Sequence, residues 1–336
     1  MKRPIVVISN DWHLAESNLE VIPGLVLQKI ELGKKIGVST LIGLGDFFQE
    51  RKAQKEIVLN TFKKCLDLIH ENGMELIAIP GNHDKTNYSS YSSFLDPFSS
   101  HPSLTLIRDC TQVELSGVKC CFIPFFEDSI WLEEFKKVPS TCEVLFSHTA
   151  VSGSVNNNKT KVESSITPTL FKKLKQVFLG HYHDPHSPAV NIHHLPSLQQ
   201  NNFGEDKIKG FTVLYENLET ETVISDFLSY ETIQIDAPLL TTSKIKEIIS
   251  SFSPEKGFLR LKILGQSNII KSLDLEEMKR VGIKVVPIMT DVGTQGEAIV
   301  KVDYSDSDSL LEVFGTFCKE NDLSFEIGVS YIKSVI

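Results

Sequence analysis

The sequence predicts an α/β protein in two parts, a large alternating domain followed by a small αβ module. Three observations carry this reading. Short apolar runs alternate with amphipathic segments through the first two thirds of the chain, as in layered strand-and-helix folds. Five of those runs lead directly into polar clusters. Around Tyr230 to Ala237 the pattern changes, and a second set of strands and helices begins. A chain of 336 residues accommodates both parts and buries a sizeable core.

The elements follow in order. Ile5-Val6-Val7-Ile8-Ser9 is apolar almost throughout, so it reads as a buried strand ending at Asn10-Asp11. A helix is expected over Val26–Lys35, stopped by Gly37, and the next strand, Thr40–Leu44, ends at Gly45-Asp46. From Gln54 to Asn72, Val58, Phe62, Cys65 and Ile69 recur on one helical stripe, with Gly73 as the stop. Glu75–Ile79 is a strand leading into Pro80-Gly81-Asn82-His83-Asp84, and the serines and tyrosines from Thr86 to Ser100 predict a long loop. Further strands are expected at Leu104–Ile107, Cys120–Pro124, Glu143–Phe146, Gln176–Leu179, Asn191–Leu195, Phe211–Tyr215 and Thr222–Phe227. The second unit reads as helix Lys244–Ser251, strand Phe258–Leu264, helix Leu273–Val281 and strand Lys284–Ile288. An acidic, serine-rich linker from Ser305 precedes an amphipathic helix, Leu310–Asn321. The expected divisions are residues 1–235, 236–304 and 305–336.

Composition narrows the function. With 41% apolar and 23% charged residues the chain is globular rather than disordered. No run approaches the length of a membrane span, and the apolar stretch behind Met1-Lys2-Arg3 is too short for a signal-peptide core. Six cysteines without a C-x-x-C pair suit a reduced, cytoplasmic protein. A net charge of −9 lacks the basic face of a stand-alone DNA binder. If the substrate is nucleic acid, metal ions, local lysines or a partner must supply the positive charge. No P-loop, heptad run or internal repeat is present.

The chemistry lies in the five clusters: Asp11-Trp12-His13, Gly45-Asp46, Gly81-Asn82-His83-Asp84, Ser147-His148 and Gly180-His181-Tyr182-His183. Ligands of open α/β folds bind at the carboxyl ends of strands, so all five are expected to converge. Asp11, His13, Asp46, Asn82, His148, His181 and His183 offer mixed nitrogen and oxygen donors, which suit manganese, iron or zinc. Seven ligands are too many for one ion, and two ions bridged by one carboxylate use them all. Such a pair activates water and holds a phosphate in line for attack. The glycines before Asp46, Asn82 and His181 let the chain turn sharply. His83 follows a ligand and is placed to protonate a departing oxygen. Each cluster alone has a plainer reading. Gly45-Asp46 is an ordinary turn, and Gly-His-x-His is a solvated strand face. Their joint order decides for the metal site. His70 and His101 read as surface residues, His186 as part of a solvated loop, and Cys120-Cys121 as core packing. The stripe Leu310, Leu311, Phe314, Phe317 serves either as core or as a docking surface.

In that order, the clusters resemble the signature of the calcineurin-like metallophosphoesterase superfamily over roughly residues 5 to 230. Within it, the chain is most similar to the SbcD nuclease branch of double-strand-break repair and its bacteriophage recombination relatives. Asp46-Phe47-Phe48-Gln49-Glu50-Arg51-Lys52-Ala53 is similar to the G-D-x-F-D-x-R-K stretch of phage members. Leu195–Glu205, followed by Lys209-Gly210-Phe211, resembles the segment this branch carries after its last histidine motif. The module after residue 237 resembles the branch's DNA-capping domain. The resemblance implies a four-layer α-β-β-α sandwich, a small αβ cap and a terminal helical segment. It implies Asp11, His13, Asp46 and His183 on one ion, with Asn82, His148, His181 and the bridging Asp46 on the other. His83 becomes the phosphate contact and general acid, Arg51 and Lys52 contact substrate, and Leu310, Leu311 and Phe314 dock the partner. The implied cofactor is a pair of manganese ions, with magnesium, iron or zinc as substitutes. The implied activity is 3′-to-5′ exonuclease on duplex ends and endonuclease on single strands. The implied partners are DNA, a second copy of the chain and an SbcC-like coiled-coil ATPase. Gln49 stands where many relatives carry an aspartate or histidine, and an amide oxygen predicts a looser hold on His83. Two other readings compete: a phosphatase or small-molecule phosphodiesterase on the same core, and a non-catalytic interaction module. The last predicts lost ligands, yet all seven are present.

Overall fold

The computed structural model describes residues 2–156 and 160–290; the expected terminal segment, with Leu310, Leu311 and Phe314, lies outside them. Among the described residues the chain opens with β1 (Pro4–Ser9), α1 (Val21–Ile36), β2 (Thr40–Leu44), α2 (Glu56–Glu71), β3 (Glu75–Ile79) and β4 (Leu104–Leu106). It continues through β5 (Thr111–Leu115), β6 (Val118–Ile123), α3 (Asp128–Phe135), β7 (Val144–His148), β8 (Gln176–Gly180), β9 (His186–Ala189) and β10 (Ile192–His194). Next come β11 (Gly210–Tyr215), β12 (Thr220–Ile224), β13 (Ser229–Asp236), α4 (Thr242–Ser251) and β14 (Gly257–Gly265). Helices α5 (Ser267–Ser272) and α6 (Glu276–Arg280) and strand β15 (Lys284–Met289) complete the described chain.

The strands form two six-stranded sheets, ordered β12-β11-β1-β2-β3-β4 and β5-β6-β7-β8-β10-β9, and a separate sheet β13-β14-β15. Alternation of side chains stacks them. Val7, Leu41, Leu76 and Ala78 face the apolar stripes of α1 and α2, including Leu25, Ile30, Val58, Phe62 and Ile69. Their neighbours Val6, Ile8, Ile42, Ile77 and Ile79 face the other way, against Phe122, Val144, Phe146 and Phe178 of the second sheet. Cys121, Ile123, Leu145, Val177 and Leu179 then point outward, under Phe126, Trp131 and Phe171. The result is the expected helix–sheet–sheet–helix sandwich. Both faces of each sheet are covered, which is why β1, β7 and β8 are apolar runs rather than alternating ones.

Several boundaries differ from the sequence expectation. Helix α1 begins at Val21, because Pro23 falls in the first turn, where its missing N–H costs no helical bond. Strand β5 and helix α3 were not foreseen; α3 is only eight residues long, too short for a periodic signal. The expected helix Leu273–Val281 is two short helices, α5 and α6. The small sheet is parallel throughout and takes its first strand from Ser229–Asp236, ahead of the expected boundary at 235. Its alternate residues Leu259, Leu261 and Ile263 pack on Ile245, Ile248, Ile270 and Met278. Among the described residues no helix is long and apolar enough to cross a membrane.

Candidate metal centre

The parallel strands β1, β2 and β3 of one sheet and β7 and β8 of the other deliver all five clusters to one edge of the sandwich. Backbone bonds knit the loops there: Asp11 N donates to Gly45 O at 3.0 Å, and His13 N to Asp46 O at 3.0 Å. Asp11, His13, Asp46, Asn82 and His148 are buried, while His83, His181 and His183 are part-exposed. The opening to solvent therefore lies on the side of those three histidines.

Two groups of donors flank Asp46. On one side His13 Nε2 and His183 Nε2 face each other at 3.0 Å. The first is 3.8 Å from Asp46 Oδ2, and the second is 4.0 Å from Asp11 Oδ1. On the other side His148 Nε2 lies 3.4 Å from Asp46 Oδ1 and 3.1 Å from Asn82 Oδ1. His181 Nδ1 lies 2.8 Å from the same Asn82 oxygen. The two oxygens of Asp46 thus address different histidine groups, the geometry a bridging carboxylate needs. Two imidazole nitrogens 3.0 Å apart share one proton at most. Moreover, buried His13 Nδ1 has no hydrogen-bond partner among the described residues. Nitrogens and carboxylate oxygens converging in this way fit divalent cations better than they fit one another.

Electrostatics sorts the protonation states of the metal-free site. Burial pushes Asp46 up, but the His148 charge and hydrogen bond outweigh it and hold the carboxyl well below its ordinary value. Burial would also depress His148, yet Asp46 and then Asp11 lift it to about 9. Desolvation, and then the neighbouring His148, push His181 down to about 3. Asp46 is therefore ionised, His148 charged and His181 neutral at pH 7.

The backbone here is strained. Asp11, His13, Asp46 and His181 have φ of 52, 48, 52 and 88°, in the left-handed region that residues with a Cβ seldom occupy. Glycine serves two different needs. Gly45, at φ 82°, needs its conformational freedom. Gly81 needs its missing side chain: a Cβ there would lie 2.2 Å from Asp46 Oδ1 and 2.8 Å from His148 Cε1. Close approach, not a sharp turn, also fixes Gly180.

His83 sits at the mouth of the centre, its backbone N–H given to Asp46 Oδ1 at 2.8 Å. Its Nδ1 is 2.6 Å from the main-chain carbonyl of Gln49, and its Nε2 is 2.7 Å from Arg51 Nη2. A carbonyl only accepts and a guanidinium only donates, so Nδ1 carries the proton and Nε2 the lone pair. The expected loosening by Gln49 does not arise, because the backbone rather than the amide makes the contact. Burial, and then the Arg51 charge, lower the imidazole's proton affinity, although Asp46 and Gln49 oppose them. Arg51 is thus brought to the site; Lys52 is exposed beside it in the chain.

Two supporting residues escaped the sequence reading. Asp84 closes its own turn: Oδ2 accepts from Gly81 N at 2.8 Å and Oδ1 from Phe48 N at 3.1 Å. Burial, and then the neighbouring Asp46, raise its carboxyl to about 7. An acid three residues after a turn glycine was the available signal. Glu205 accepts from His183 Nδ1 at 2.8 Å, leaving His183 Nε2 as a lone pair aimed into the centre. Buried Lys209 lies 3.3 Å from Glu205 and donates to Asp184 at 2.8 Å and His183 O at 2.7 Å. The remaining histidines stand apart. His70 and His101 bond Ser103 and Asp67, far along the fold. His186 stacks on buried His194 in the β9–β10 hairpin rather than lying in a solvated loop. Cys120 and Cys121 are core residues, as expected.

Fold and donor set together define a two-metal phosphoester hydrolase. Residues 4–185, more than half of the chain, match the family described as calcineurin-like phosphoesterase, and the chain belongs to that family. Its curated relatives include exonuclease subunit 1 of Enterobacteria phage T4, 24% identical over 332 residues, covering 90% of this chain and 95% of the relative. They also include the SbcD component of the nuclease SbcCD from Staphylococcus saprophyticus, 23% identical over 244 residues, or 62% of this chain and 65% of the relative. A dimetal phosphatase from Danio rerio superposes with a TM-score of 0.41 at 10% identity, covering 67% of this chain and 99% of that one.

Proposed function

We propose that this chain is the DNA nuclease subunit of an SbcCD-like repair or recombination complex. In this reading Asp11, His13, His183 and Asp46 would hold the first ion. Asn82, His148, His181 and Asp46 would hold the second. When bound, the ions supply Lewis acidity and an activated water. The protein's own groups do the rest. Arg51 and His83 meet the phosphate at the open mouth. An incoming phosphate oxygen takes the Arg51 donors that now occupy His83 Nε2, and its negative charge raises the proton affinity of that nitrogen. His83 then takes up a solvent proton at Nε2 and gives it to the departing sugar oxygen, returning to the neutral ring, while the Gln49 carbonyl keeps the ring in place through Nδ1.

The observation that carries the nuclease reading is the cleft of about 320 Å³ that starts at His13, His83 and His183 and runs to Tyr230 and Phe258 of the small sheet. A second opening, of about 430 Å³, meets the same His83 and His183 from the side of Arg51 and Asn156. Openings on both sides of the centre suit a strand, whereas a small ester needs only the middle. Similarity to the phage subunit over 90% of the chain extends through the small sheet as well. Duplex 3′-to-5′ exonuclease and single-strand endonuclease activities, manganese as the working metal, a homodimer and a coiled-coil ATPase partner complete the proposal. With a net charge of −9, that partner supplies most of the grip on the DNA backbone.

The test is cleavage of end-labelled duplex and single-stranded DNA in manganese, alone and with the ATPase subunit. Degradation of either strand form supports the proposal. Hydrolysis of bis(p-nitrophenyl) phosphate with DNA left intact under both conditions points to a small-molecule phosphodiesterase instead.

Ligation by His148 has its own signature. Because its imidazole is lifted to about 9, the metal-free site holds a proton that an ion must displace. Raising the pH towards that value removes the competitor, so apparent affinity for the second ion rises about tenfold per pH unit between pH 6 and 8. Calorimetry in buffers of different ionisation enthalpy should show about one proton released on filling that site at pH 7. Release of none would remove His148 from the ligand set.

A further inference from the structure

The small sheet turns one face to its own helices and the other to the cleft, and the cleft face is organised in rungs. Tyr230 and Phe258 are register partners on β13 and β14, their rings stacked with centroids 4.5 Å apart at 28°. Phe203, from the segment before β11, meets Tyr230 edge-on at 5.0 Å. Two residues further along the strands lies a polar rung, Thr232, Arg260 and Lys284. The Arg260 guanidinium lies 4.7 Å over the Phe203 ring, with Lys284 Nζ at 6.0 Å from the same ring. Phe258 remains 43% exposed.

This wall is tied to the metal centre by one chain of bonds. Tyr230 N donates to Gln200 Oε1 at 2.8 Å, and Gln200 Nε2 donates to Glu205 O at 3.0 Å. Glu205 in turn holds His183. An apolar core needs no such arrangement at a solvent-filled cleft, and the described residues leave Phe258 open to it. Flat rings bordered by cations, in a cleft that begins at the hydrolytic centre, match the two faces of an unpaired nucleotide: a π-surface and a phosphate.

We propose that Tyr230 and Phe258, braced by Phe203, form a stacking platform for an unpaired nucleobase of the DNA strand being cut, with Arg260 and Lys284 taking its backbone phosphate. This rests on the nuclease reading and names what the centre selects: a strand whose base has left the duplex, whether in single-stranded DNA or at a frayed end. A base pair stacked inside a duplex presents only its edges in the grooves and has no face to offer the platform.

The experiment compares binding of the full-length protein to a thymidine strand and to an abasic strand of the same length and charge, for wild type, Phe258→Ala and the Tyr230→Ala/Phe258→Ala double variant. Wild type should bind the base-bearing strand about tenfold to a hundredfold more tightly, since stacking on an aromatic contributes about 1–3 kcal/mol per base. The variants should lose most of that preference while binding the abasic strand as wild type does, which also shows that they are folded. Phe258→Trp should restore the preference. Variants that keep the wild-type preference overturn the platform and leave the nuclease reading standing. A wild type that binds neither strand and cleaves no DNA, both alone and with the ATPase subunit, overturns both.

Discussion

Replacing Asp46 by asparagine should empty both metal sites and reduce phosphodiester cleavage by on the order of a thousandfold or more, about 4 kcal/mol of barrier. The substitution keeps the volume and removes only charge and one acceptor. Both oxygens are committed: Oδ1 accepts the His83 backbone N–H at 2.8 Å and faces His148, while Oδ2 faces His13. Whichever way the amide turns, its NH₂ group is presented to groups that need an acceptor or a ligand. The lost charge is also what lifts His148, so its imidazole should fall back towards neutrality in the metal-free protein. The readout is metal content by mass spectrometry beside activity. If two ions per chain remain, Asp46 is not the bridge.

His83→Ala should behave oppositely, retaining two ions while losing about 10²- to 10⁴-fold in cleavage rate. The distinction matters because His83 also lies within ligand distance of His13 and Asp46. Its bonds argue for the acid: the ring is held at Nδ1 by a carbonyl and reaches the open mouth with Nε2. A substrate with a good leaving group, such as p-nitrophenol, needs little protonation, so the defect should shrink sharply on an activated ester. An equal defect on both substrates, or loss of an ion, would make His83 a ligand instead.

The legibility of this protein divides along a physical line. Asp11, His13, Asp46, Asn82, His148, His181 and His183 stand out in the sequence because chemistry dictates their residue types and the strand ends dictate their places. The layers were legible because a sheet covered on both faces demands runs such as Ile5–Ile8, and a covering helix demands a stripe such as Val58, Phe62, Cys65 and Ile69. Helix α3 was invisible, since eight residues hold too few turns to show a period.

Other features depend on atoms far apart in the chain. Asp84 reads as the tail of a motif until the fold brings Phe48 N to it. Glu205 looks like a loop acid until it is found on His183. The concern over Gln49 dissolves because the contact is made by a carbonyl that every residue type carries. Sequence by itself determined the sandwich, the family and the candidate donor set, since these follow from local pattern and side-chain chemistry. Only the tertiary structure decided which oxygen of Asp46 faces which histidine, which nitrogen of His83 is free, and that the small sheet lays aromatic rings along the cleft. Each of these is a matter of orientation between distant segments, which packing of the three sheets sets and no local pattern encodes.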